Sequence, residues 1–112
     1  MELDLELRNN TLVARAGGEL DLASAGRFRA ALEEALDRHP VRNIVFNLER
    51  VTFIDSSGLG VLLGRYKRIA KSGGRVLIVG AQPQVRRILE LSGLLRIMGE
   101  FASEEEALDK VG

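Results

Sequence analysis

Phe53-Ile54-Asp55-Ser56-Ser57-Gly58-Leu59-Gly60 is the stretch where one periodicity gives way to another. The run before it, Asn43-Ile44-Val45-Phe46-Asn47-Leu48, is short, apolar and β-branched, the composition of a buried strand. From Leu59 the period is helical: Leu59, Leu62, Leu63, Tyr66, Ile69 and Ala70 fall within one half of a wheel turned about 100° per residue. Gly73-Gly74 closes that segment. Ser56 is therefore predicted at or beside a helix N-cap, at the C-terminal end of a strand. Free backbone N–H groups and the positive end of the helix dipole gather there, so a phosphate on that hydroxyl would meet a favourable field. Taken alone, the same residues also make an ordinary Asp-Ser cap with glycines for a tight turn.

Working outward, Leu3 to Leu7 alternates and Thr11 to Ala16 does so more loosely after Asn9-Asn10, which reads as an opening hairpin. Gly17-Gly18 interrupts the alternation. From Ala23 to Arg38 the spacing of Phe28, Leu32, Ala35 and Leu36 is helical, and the helix ends before His39-Pro40. Asp21 is placed to cap it. Arg75 to Gly80 reads as another buried strand, and Pro83 suits the first turn of a helix that carries Val85, Ile88 and Leu89 inward as far as Gly93. Ser103-Glu104-Glu105-Glu106 has the spacing of a capping box at the start of a last short helix. The acidic run is explained by the dipole of that helix. Strands alternating with helices after a hairpin predict an α/β domain spanning 1–112, with a small mixed sheet, parallel later strands and about four helices.

The 112 residues suit one domain with one core. Lys+Arg and Asp+Glu number 16 each, so the overall charge does not recommend nucleic acid or an anionic membrane as a partner. Arginine outnumbers lysine 13 to 3, from which no function follows. There is no cysteine, and no apolar run of signal or membrane-spanning type is apparent. A soluble protein of the cytoplasm is the expectation.

Catalysis would have to begin from Asp55, Ser56, Ser57 and the one histidine, His39. His39 precedes the strand and the serines follow it, whereas a Ser-His-Asp relay needs hydrogen-bond contact. The nucleophile elbow G-x-S-x-G is also missing, since Asp55 stands two before Ser57 and Ile54 two before Ser56. Gly58-Leu59-Gly60 follows a strand and opens a helix, as a dinucleotide-binding turn does. Leu63 then stands where the third glycine should be, and no acid follows the next strand to hold a ribose. No G-K-[ST] sequence and no His/Cys cluster is present, so no cofactor or metal is expected.

The Asp55 to Gly60 run, continued by Val61-Leu62-Leu63-Gly64-Arg65-Tyr66-Lys67, resembles the phosphorylation site of the STAS family of anti-anti-sigma factors. The turn Gly18-Glu19-Leu20-Asp21, the strand Ile44 to Glu49, Gly73-Gly74 and Leu91-Ser92-Gly93-Leu94 extend the likeness over nearly the whole chain. The resemblance implies a non-catalytic switch in the control of an alternative sigma factor, that of early spore formation, with a general-stress pathway as the alternative. Its implied partners are an anti-sigma factor with serine kinase activity, which would phosphorylate Ser56, and a metal-dependent serine phosphatase. The implied partner face comprises Asp21, Asp55, Ser56, Ser57, Gly58, Gly60 and Val61. For Asp21 a capping role and a partner contact both stay open. Val61 is expected to point outward with Gly60, Gly64 and Arg68, away from the apolar stripe.

Overall fold

Asn9 takes the left-handed backbone conformation (φ 57°) that asparagine tolerates, and it turns the chain between β1 (Glu2–Arg8) and β2 (Thr11–Leu20). The remaining elements are α1 (Leu22–Arg38), β3 (Asn43–Ile54), α2 (Ser56–Lys71), β4 (Val76–Val79), α3 (Pro83–Leu91), a 3₁₀ turn at Leu94–Arg96, β5 (Gly99–Phe101) and α4 (Glu104–Val111). This computed structural model describes residues 1–112. The strands form one sheet in the order β1-β2-β3-β4-β5, antiparallel at β1/β2 and parallel at every later pair. The α/β class, the hairpin, the parallel later strands and the four helices are as the sequence predicts.

Strand side chains alternate between faces, and the two faces are covered differently. Leu12, Ala14 and Ala16, Ile44, Phe46 and Leu48, and Val76 and Ile78 join Phe28 and Leu32 of α1, Leu62 and Ile69 of α2, and Val85 and Leu89 of α3 in the larger core. Phe28 meets Phe46 edge to face at 6.1 Å between centroids, a pairing that adds about 0.5–1.5 kcal/mol beyond its area. The intervening Val13, Val45, Leu77 and Val79 pack on the other face against Ala107 of α4. There Arg15 bonds Glu104 at 2.7 Å, Glu6 at 2.7 Å and Asp4 at 2.8 Å, and Asn47 also donates to Glu104 at 2.7 Å. The first acid of the 104–106 run therefore anchors α4 to the sheet as well as facing its dipole. Its hydrogen bond from Arg15 holds the Glu104 carboxyl below the usual range, against the opposing effect of burial.

Five features differ from expectation. β2 continues through Gly17-Gly18 to Leu20, because the irregular register there, with Gly18 at φ 80°, lets the strand keep its pairing to β3. β3 runs twelve residues, well past Leu48, and β5 was not anticipated. The capping box of α4 is half formed: Ser103 Oγ accepts from Glu106 N–H, while Glu106 reaches Ala102 N–H at 3.4 Å. The fifth concerns the phase of α2. Val61 does not point outward; it is 5% exposed and belongs to the core. The buried stripe is Gly58, Val61, Leu62, Arg65 and Ile69, while Ala70 is exposed. α2 packs on α1 as well as on the sheet, so its buried arc turns towards α1. Arg65, paired there with Glu33, disguised that arc as a solvent face.

Candidate functional site

β2 and β3 lie side by side and parallel, with Leu20 paired to Ile54, and each is followed by one aspartate and then a helix. Two helix starts are thereby set next to each other at the C-terminal edge of the sheet. Asp21 and Asp55 both cap from extended backbone, at φ −128° and −113°.

At α2, Asp55 Oδ1 accepts the N–H groups of Ser57 (2.8 Å) and Gly58 (3.2 Å). Its Oδ2 accepts from Leu22 N–H at 3.2 Å, so one carboxylate caps its own helix and ties in the first residue of α1. Asp55 N–H in turn donates to Leu20 O at 3.1 Å. Gly58 makes this closeness possible: a Cβ there would lie 2.5 Å from Leu20 O and 2.8 Å from Ile54 Cγ1. Ser56 is the first helical residue, as the sequence predicts. It is exposed, Ser57 is half-buried, and neither hydroxyl has a hydrogen-bond partner within the protein. Gly60 is exposed, and a Cβ on it would meet nothing within 4 Å.

The α1 start is closed by its own side chains. Asp21 Oδ1 accepts from Ser24 N–H at 3.1 Å, and Ser24 Oγ accepts from Asp21 N–H at 3.0 Å while lying 3.0 Å from Glu19 O. Burial raises the Asp21 carboxyl, but the bonds from the Ser24 hydroxyl and backbone outweigh it and hold the group below the usual range. The capping role of Asp21 is thus realised, and the residue stays half-buried beside the serines. Ser24 was missed by sequence reasoning, although its spacing from Asp21 is the signal of a capping box. Leu22, 79% exposed, was missed too; an apolar residue at a helix start reads as core until its neighbours are known.

Asp21, Asp55, Ser56, Ser57 and Gly60 come together at this edge, whereas Gly58, buried against Leu20, and Val61 lie beneath it and are not part of its surface. His39 caps the far end of α1, ahead of the twelve-residue β3, so it does not approach the serines. No group of three or more His, Cys, Asp or Glu side chains is arranged to hold a metal, and no helix is long and apolar enough to cross a membrane. What the edge offers is an accessible hydroxyl in the field of two helix N-termini, on a surface flattened by glycine.

A family profile described as the STAS domain matches residues 2–107. An anti-sigma F factor antagonist from Paenibacillus polymyxa is 38% identical over 111 residues, 99% of this chain and 95% of the relative. The unphosphorylated form of the anti-sigma factor antagonist SpoIIAA superposes with a TM-score of 0.87 at 38% identity, over 98% of this chain and 96% of the other. The phosphorylated form of SpoIIAA, described as a Bacillus cell fate determinant, gives 0.79 at 37% identity over 99% and 100%.

Proposed function

The chain belongs to the STAS domain family, and on that premise we propose that it is an anti-sigma factor antagonist switched by phosphorylation of Ser56. The observation that carries the reading is the exposed, unbonded hydroxyl of Ser56 at the first position of α2. Unphosphorylated, the chain binds an anti-sigma factor and so releases the sigma factor of early spore formation. The similarity to sporulation antagonists over essentially the full length supports that pathway over a general-stress one.

In this reading the anti-sigma factor is itself a serine kinase, the setting is the cytoplasm, and residues 1–112 act as one non-catalytic domain. The γ-phosphoryl of ATP passes to Ser56 Oγ, the hydroxyl proton is released and ADP leaves. A metal-dependent serine phosphatase reverses the change by hydrolysis, returning the hydroxyl and inorganic phosphate. The docking face comprises Asp21, Leu22, Asp55, Ser56, Ser57 and Gly60, which share the exposed edge above the two helix starts.

The physics of the switch is local. Phosphate brings about −1.5 to −2 charge at neutral pH. The helix terminus accommodates that charge, so the fold survives. A docked partner has to dehydrate it next to Asp55, and a penalty of about 3–4 kcal/mol weakens binding several hundredfold. Co-purification with the candidate anti-sigma factor, in ADP and separately in ATP, tests the reading. The complex is expected to form in ADP and to be lost in ATP as the chain gains one phosphate. A chain that binds equally well in both, unmodified, overturns it.

A further inference from the structure

The groove between α1 and α2 has a volume of about 460 Å³ and is lined by Gly26 and Arg29 from α1 and by Ser56, Gly60, Val61 and Arg65 from α2. It stays open because its walls are glycine: a Cβ on Gly26 or on Gly60 would meet nothing within 4 Å. Two arginines face into it, in different states. Arg29 is exposed and forms no ion pair or hydrogen bond, unlike Arg68 nearby, which holds Glu33 and Asp37. Arg65 is 9% exposed. Its Nε lies 3.2 Å from Glu33 Oε2 without hydrogen-bond geometry, and its Nη1 is buried with no partner at all. Buried donors are almost always satisfied, so an unpartnered guanidinium nitrogen beside an open groove marks a place where an acceptor belongs.

The acceptor must be anionic, because the groove combines two guanidinium groups with the N-terminus of the sixteen-residue α2, and Glu33, the carboxylate beside Arg65, is shared with Arg68. Ser56 supplies the tether, since it lines the same groove.

We propose that the groove between α1 and α2 receives the phosphoryl group of Ser56, with Arg29 closing over it and Arg65 providing a fixed charge in the floor. The proposal rests on the assignment of Ser56 as the phosphorylated residue and deepens it: the modified chain holds its own phosphate. Two consequences follow. The groups bordering the phosphate are the carboxylates of Asp55, Asp21 and Glu33 and the guanidinium groups of Arg29 and Arg65, so removing one cation raises the second pKa of the phosphate. Closure by Arg29 also shields the phosphate from a phosphatase.

The test installs phosphoserine at position 56 during translation, which requires neither kinase nor partner, so its outcome is separate from that of the binding reading. The phosphate is titrated by ³¹P NMR in the intact chain and in Arg29→Ala, Arg29→Lys and Arg65→Met. The helix terminus lowers the pKa in all of them, so the differences decide. Arg29→Ala is expected to raise it by about half a unit or more, and Arg29→Lys by clearly less. Arg29→Ala is also expected to speed dephosphorylation at least severalfold. Because Arg29 is exposed and unbonded, this variant folds even if Arg65→Met does not. Equal pKa values in the intact chain and Arg29→Ala overturn the proposal. A second arm adds inorganic phosphate to the unmodified chain and follows the arginine Nε–H signals. Shifts with millimolar phosphate that match those of the phosphoserine form would reassign the groove to a diffusible anion and overturn the tethered receptor.

Discussion

The starts of α1 and α2 are built alike and finished differently. Each follows a parallel strand, each is capped by an aspartate in extended backbone, and each has serine within its first turn. At α1 the serine is turned inward: Ser24 is 7% exposed, and its hydroxyl is held by Asp21 and Glu19. At α2 the aspartate does the capping alone, and Ser56 is left exposed without a partner. A hydroxyl that completes a buried cap cannot be modified without breaking the cap. A hydroxyl one position past the cap is available to an enzyme and costs the fold nothing when it changes. The two starts thus separate what holds the edge of the sheet together from what is free to carry a signal.

The strongest way to break this comparison is to place a negative charge at each start. Ser56→Asp is expected to keep the circular dichroism and melting temperature of the parent while losing about a hundredfold or more in affinity for the anti-sigma factor. Added salt should restore only part of that loss, since screening relieves repulsion but does not remove the dehydration cost. Ser24→Asp should do the reverse to the fold. It buries a carboxylate against Asp21 and Glu19 O, and is expected to cost about 2–3 kcal/mol of stability in urea unfolding. Equal stability of the two variants would show that the starts do not differ as described.

A smaller effect divides the glycines of α2. Gly58→Ala forces a Cβ into Leu20 O and should destabilise by about 2 kcal/mol, whereas Gly60→Ala meets open space and should be neutral or stabilising by up to about 1 kcal/mol. Thermal melts of the pair check this. Val61→Lys belongs with Gly58→Ala, because Val61 is core: a loss of about 2 kcal/mol is expected. Among the caps, Asp55→Ala should cost about 1–2 kcal/mol, as it releases three N–H groups across two helices, and Asp55→Asn should recover most of it.

The smallest effect lies on the opposite face of the sheet. The Glu104 carboxyl is held below its ordinary value by Arg15, so its contribution is present above the unfolded-state value near 4.3 and is lost as pH falls through the lower folded-state value. Glu104→Gln should therefore reduce stability by about 1 kcal/mol or less at pH 7, after screening by solvent, and the deficit should shrink below about pH 4. Partner affinity should not change, which separates scaffold from site.

Much of this was legible in the chain. The handover from strand to helix at Asp55-Ser56, the Asn9-Asn10 hairpin and the helix boundaries follow from local chemistry, and local chemistry prevails there because caps and turns are made by neighbours in sequence. The phase of α2 was not legible, because Arg65 occupies a buried position thanks to Glu33 on another helix. β5 has three residues, too few for a periodicity. The bridge from Asp55 to Leu22 N–H depends on β2 and β3 being neighbours, which no local pattern announces. Whatever is made by two distant segments together, including the open groove beside Ser56, had to come from the structure.

The most direct test of the switch is to locate the phosphate. After incubation with the cognate kinase and ATP, peptide mapping by mass spectrometry is predicted to find one phosphate per chain, on Ser56, and none on Ser56→Ala, which should still bind the partner. A phosphate on Ser57, Ser24 or Ser103, or continued phosphorylation of Ser56→Ala, would contradict the account.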